Sequence, residues 1–240
     1  MPRSWRGWVL IAPLLVTAVA CGTTASGERR GSSHISVKGA PGPAGLERFV
    51  TTYSEAPFYR SFDTSLPRSI EDLFFLVPCA GYVRGKVTGI ERLTKRVSLS
   101  TGAKGEPPDF WLDELAVGLR VGVDSSSLRS GPNFLPGSDV VVRLPVWQGK
   151  QSPSMDAAEA DFMRPLLGSP PVGAAIQVFV GNVDNGNIVQ PCTGGYGVVG
   201  AQPDGTGLTS FGSFAATGSV YGISTMNELE IRTESFLKPA

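Results

Sequence analysis

Three cysteines and one histidine set the chemistry open to this 240-residue chain. A Ser-His-Asp triad needs an imidazole held by the fold, and a zinc hydrolase needs two or three. The single histidine, His34, lies in GERRGSSHISVKGAPGPAG, a stretch with no apolar periodicity to hold it. Cys79 and Cys192 therefore lack a nearby base that would make either a nucleophile. Two acidic clusters remain, Asp109, Asp113 and Glu114, and Asp156, Glu159 and Asp161. A glycosidase needs two carboxyls about 5–9 Å apart, whereas such runs read as solvated loops or helix starts, where acids complement the dipole. Asn182, Asp184, Asn185 and Asn187 depart from the spacing of a calcium loop, and GGYG at 194–197 lacks the GK[ST] of a phosphate loop. With no CxxC either, the sequence asks for no metal and no cofactor.

The cysteines carry a different message. Arg3 and Arg6 precede an uncharged, mostly apolar run from Val9 to Ala20, the pattern of an export signal over residues 1–20. Ala18-Val19-Ala20-Cys21 then resembles a bacterial lipobox. That resemblance implies cleavage before Cys21 and a diacylglyceryl thioether on its sulfur. The same residues also spell an A-x-A site for ordinary signal peptidase, which would release a secreted chain. Each buried CH₂ contributes about 0.8 kcal/mol, so two or three acyl chains anchor firmly where one does not. In an oxidising compartment Cys79 and Cys192 form a natural single disulfide; two separately buried thiols are the alternative.

Charge excludes further classes. Lys plus Arg equals Asp plus Glu at 21 each, and loss of Arg3 and Arg6 with the leader leaves a net charge of −2. Nucleic-acid binders carry a basic excess, so no nucleic-acid partner is expected. The 30 glycines and 19 prolines favour short strands and turns over long helices.

The elements that would position a site follow from periodicity. Residues 21–45 read as the lipidated cysteine and a flexible tether, and 46–240 as one β-barrel-like domain. Phe49, Tyr53, Phe58, Tyr59 and Phe62 show no clear period, fitting a leading strand or a wrap. Ser69 with Asp72 resembles a capping pair, and Ile70, Leu73, Phe74 and Val77 recur at helical spacing until Pro78. Strand alternation follows at 82–89, over the short run Arg96–Thr101, at 115–123, 140–147, 176–180 and 188–189, with a last short strand at 196–199. Asn185-Gly186 predicts a two-residue hairpin turn. MDAAEADFMRPLLG predicts a helix capped by Ser154 and shortened or kinked by Pro165. Residues 205–222 read as a loop or irregular edge strand. The tail predicts a helix opened by Thr225 and Glu228, docking through Met226, Leu229 and Phe236. The expected fold is mainly β: a five- or six-stranded OB-like barrel with two or three short peripheral helices.

The order of SIEDL, GYVRGKVTGIE, GSDVVVRLP, PPVGAAIQVFVG, GGYGVVGAQPDG and TMNELE over residues 66–236 resembles an uncharacterised family of exported actinobacterial lipoproteins. The resemblance implies a small barrel similar to the OB-fold and transfers no catalytic residue. The expectation is a non-enzymatic, lipid-anchored envelope protein, held to the outer face of the membrane through Cys21, that serves as a protein-interaction module. The alternative is a module for wall glycan or a small ligand, with Trp111, Trp147, Tyr82 and Tyr196 as its aromatic wall. An envelope hydrolase comes last.

Overall fold

A computed structural model describes residues 43–60, 69–75, 79–99, 110–149, 153–201, 207–211 and 219–237. The export signal, Cys21, His34 and nearly all of the tether lie outside these residues, as do Asp109, Pro67 and Pro78.

Among the described residues, seven strands form one sheet. They are β1 (Gly81–Leu99), β2 (Phe110–Leu128), β3 (Asp139–Gln148), β4 (Ala175–Asp184), β5 (Ile188–Gly195), β6 (Val198–Ala201) and β7 (Leu208–Ser210). Five of them close a ring in the order β1-β2-β3-β5-β4-β1. Every contact in the ring is antiparallel except β3 with β5. A helical segment fills the connection from β3 to β4, and the result is an OB-like barrel. β1 makes closure possible by using both edges: Gly81–Lys86 pairs with Ala175–Val180 of β4 while the whole strand pairs with β2. The bend that this requires falls at Gly85, where the register with β2 shifts. A Cβ there would stand 2.1 Å from the Gly122 carbonyl oxygen, so the two backbones can meet only without one.

The barrel interior is filled by the alternation seen in the sequence. Val83, Val87, Leu115, Val117, Leu119, Val121, Val140, Val142, Leu144, Val146, Ile176, Val178 and Val180 are buried in one cluster. The strand periodicity extends further than expected: Arg96–Leu99 is the end of β1, not a separate strand. Asn185 and Gly186 take φ of 49° and 79°, which a primed hairpin turn between β4 and β5 requires. β6 and β7 then extend the sheet beyond β4, and within 205–222, expected as a loop or an irregular edge strand, β7 is an edge strand over Leu208–Ser210.

The aromatic stretch after residue 46 is helical rather than a strand. α1 (Pro43–Ser54) carries Leu46, Phe49, Val50 and Tyr53 into the barrel core at helical spacing. Phe49 stacks against Tyr53 and tilts onto Phe211, which follows β7. The short α2 (Pro57–Arg60) follows it. α3 (Ile70–Phe75) has the expected reciprocal cap: the Ser69 and Asp72 amides each donate to the other side chain at 3.2 Å.

The helical run after β3 is broken as Pro165 requires. α4 (Met155–Ala158) is capped by Ser154, a π turn spans Glu159–Met163, and α5 (Arg164–Gly168) has Pro165 in its first turn. Pro165 has no amide hydrogen to continue the helical ladder, and the π turn accommodates the interruption.

The C-terminal α6 (Met226–Leu237) docks as expected. The Glu228 amide donates to Thr225 Oγ1 at 3.2 Å, and Met226 and Leu229 are buried. They join Ile70, Leu73 and Phe74 of α3 and Phe179, Val199 and Leu208 of the sheet in a second core outside the barrel. Gln177 donates from a fully buried position to Thr233 Oγ1 at 3.0 Å, fixing the helix axially. Cys79 and Cys192 join in this second core, 113 residues apart in sequence with Cα atoms 5.4 Å apart.

Two outcomes test this packing. Changing both Cys79 and Cys192 to Ser is expected to lower unfolding free energy by about 4–5 kcal/mol, the loop-closure value for so long a loop, measured by urea denaturation against the oxidised chain. Burial pushes the Tyr53, Tyr82 and Tyr221 hydroxyls above their ordinary 10.0, with Glu114, Glu230 and Asp72 respectively adding to the shift. Because the folded values are the raised ones, this contribution is intact below about pH 10 and is lost as pH rises further. Tyrosinate absorbance should therefore rise together with unfolding above that pH, and Tyr221→Phe should reduce the pH dependence.

Candidate functional site

The parallel seam between β3 and β5 is short. Only Val141 with Ile188 and Val142 with Val189 are in register, fastened by the Val141 amide donating to Asn187 O at 2.9 Å. Beyond that point each strand carries a proline, Pro145 and Pro191, which cannot donate to a continuing ladder. Both strands then line a cavity of about 270 Å³. That volume is near the lower end of small-molecule sites, about 300–1,000 Å³. Pro145 and Gln148 come from β3, Gln190, Pro191 and Gly194 from β5, and Lys95 and Glu114 from β1 and β2. Phe58 of α2 forms the remaining wall.

Arg143 of β3 also lines this cavity and is 3% exposed. Simple alternation puts it on the outer face of the barrel, opposite Val142 and Leu144, where a charged residue belongs in water. Burial there requires compensation. Glu114, 7% exposed, provides it from the neighbouring strand, with Oε1 2.6 Å from Arg143 Nη2. The approach is close but off the hydrogen-bond axis, and Arg143 Nε has no hydrogen-bond partner among the described residues. Fully buried Tyr53 is near enough to Glu114 for that carboxylate to help hold its phenol protonated. Below the ion pair, Leu93, Ala116, Val141 and Ile188 form a small apolar floor on the same outer face.

A second polar set stands at the rim. Lys95 Nζ is 3.2 Å from Asp184 Oδ2, and the Gln190 side-chain amide donates to the same oxygen. The groove therefore has two cations matched by two anions, and Gln148 and Gln190 also line it.

Three of the four aromatics expected to line a groove lie outside this one. Tyr82 is buried beneath α6, its hydroxyl shared between Glu230 at 3.3 Å and Glu234 at 3.1 Å. Trp147 is buried in the barrel core, and its indole N–H donates to Pro153 O at 2.8 Å. Tyr196 is half-buried beside β6, and its carbonyl oxygen accepts from Tyr221 at 3.0 Å. Trp111 lies in β2 opposite Ser98, with its side chain outside what the structure describes. Alternation did place Tyr82 on the face opposite the main apolar row of β1, where α6 covers it, whereas the register shift at Leu115/Ala116 sets Trp147 opposite Leu115 and turns it into the core.

The acidic clusters are also divided. Glu114 is held by Arg143, and Glu159 by Arg92 at 2.9 Å, while Asp113, Asp156 and Asp161 are exposed. Asp184 and Asn182 of the acidic-amide run contact each other at 3.0 Å and lead into the hairpin turn. Among the described residues no group of three or more His, Cys, Asp or Glu side chains is placed to hold a metal ion.

The central pair was missed in the sequence. A charged residue within VVVRLPV, followed by proline, marks a strand whose outer face is covered where its ladder ends. Arg143→Met should lower stability by about 3–5 kcal/mol by stranding the Glu114 charge. The double variant Glu114→Met/Arg143→Met should recover most of that loss in the same urea denaturation series. A loss in the double variant equal to the sum of the Glu114→Met and Arg143→Met losses would show that the pair is not coupled. Comparison of the chain with protein-family models, with curated proteins and with solved structures finds no match.

Proposed function

We propose that this chain is a non-enzymatic binding module of the cell envelope, anchored through Cys21, whose ligand site is the groove where β3 and β5 diverge. One observation carries the reading. The groove gathers polar side chains from four strands around a buried arginine with a donor unused among the described residues. Concave sites with a few convergent polar groups over apolar walls are the usual form of a small-ligand site, and the outer face around β2 and β3 is where OB-fold barrels commonly take oligomeric ligands. Export is supported by the leader-like N-terminus and by a bonded cysteine pair of the kind that persists in oxidising compartments.

The groove favours a ligand-binding role over a broad protein-docking face. Among the described residues, the large apolar side chains most open to water, Phe75, Leu135, Ile231 and Met155, stand on α3, the β2–β3 connection, α6 and α4. Apolar residues scattered in this way are ordinary on a soluble surface.

Crosslinking in intact cells tests both parts of the proposal. Cys21→Ala should move the chain from the detergent phase into the medium. Gln148→Trp, which fills the groove from one edge, should stay anchored but lose at least tenfold of its crosslinked envelope material. A Cys21→Ala chain that remains with the membrane would overturn the anchor, and undiminished crosslinking by Gln148→Trp would overturn the groove.

A further inference from the structure

Resting on that reading of the groove, we infer that its ligand is an uncharged, hydroxyl-rich sugar ring, a neutral pyranoside of a glycan. The first argument is charge. The four ionised groups in and beside the cavity are already matched, Arg143 with Glu114 and Lys95 with Asp184. An anion accepting from Arg143 Nε would bring a further negative charge beside the Glu114 carboxylate, which is 7% exposed, and a cation drawn to Glu114 would stand beside the guanidinium. Either buries a charge in excess of the matched pairs, which is strongly unfavourable. A neutral ligand enters without separating either pair.

The second argument is hydrogen bonding. Arg143 Nε is a buried donor without a partner among the described residues, and a buried donor left unsatisfied is costly. A hydroxyl oxygen can accept from it. Nearby, the Glu114 carboxylate can accept, and the Gln148 and Gln190 side chains each carry both a donor and an acceptor. Hydroxyl groups also do both, and a ring bearing several of them matches this mixed set better than a group that only donates or only accepts.

The third argument is shape. Phe58, Pro145 and Pro191 give the cavity flat apolar walls, suited to the C–H face of a sugar ring. The cavity's volume of about 270 Å³ suits one or two rings rather than an extended chain.

The test uses the full chain as the cell makes it, labelled with ¹⁵N, and follows the Arg143 Nε–H and the Gln148 and Gln190 side-chain amides by NMR. The probes are the methyl glycosides of glucose, galactose and mannose, their disaccharides, and the methyl glycoside of glucuronic acid as the charged counterpart. At least one neutral probe is expected to shift all three sets of resonances saturably, with the glucuronide at least tenfold weaker. Gln148→Ala and Gln190→Ala should each weaken the neutral probe at least tenfold without lowering Tm. Tighter binding of the glucuronide would overturn the neutral-sugar inference while leaving the groove as a binding site. Absence of saturable shifts with every probe would also overturn it, and the crosslinking of Gln148→Trp would then decide separately whether the groove binds anything else.

Discussion

The short parallel contact between β3 and β5 governs much of this molecule. A ring of five strands needs this contact to close, yet only two residue pairs hold it in register. Had the ladder continued, the barrel would be sealed and its outer face uniform. Proline in both strands stops the continuation, and the space that results exposes the edge of an outer face on which a charged side chain has been buried. The cavity, its two proline walls and the need for the Arg143–Glu114 pair all follow from that early end to the pairing.

The rest of the chain supports this opening from two sides. α1 drives Phe49 and Tyr53 into the barrel core, and the approach of Tyr53 to the Glu114 carboxylate links the interior to the groove. On the other side, β5 leaves β4 after Pro191 and is tied at Cys192 to Cys79, just ahead of β1. The covalent link therefore fixes the strand that forms one wall of the groove at a point next to the cavity lining. The second core, with α3 and α6 packed over Phe179, Val199 and Leu208, gives that arm a rigid base.

Much of this architecture was legible in the residues because it rests on local rules. Alternation from Leu115 to Val123 and from Val140 to Val146 identified the barrel interior, Asn185-Gly186 identified the hairpin, and Ser69, Ser154 and Thr225 identified three helix starts. Two of the failures share one cause. Alternation assigns a side chain to a face but does not say what will cover that face. Tyr82 is covered by a helix about 150 residues later in the chain, and Arg143 lies beside a groove walled by α2. α1 was overlooked for a different reason: Leu46, Phe49, Val50 and Tyr53 do hold helical spacing, but the additional aromatics Phe58, Tyr59 and Phe62 obscured it.

The double-edged pairing of β1 also bears on how the molecule is assembled. Gly81–Lys86 must meet both Ser125–Leu128 with their neighbours in β2 and the β4 segment Ala175–Val180. The first partner is reached by a hairpin, but the second arrives only after β2, β3 and the interrupted helical segment have been made. Contacts between residues so far apart in sequence carry a loop-closure cost before they return any stabilisation. The long β1–β2 ribbon is thus the natural early structure, and closure of the barrel is the slow step that waits for the chain to return.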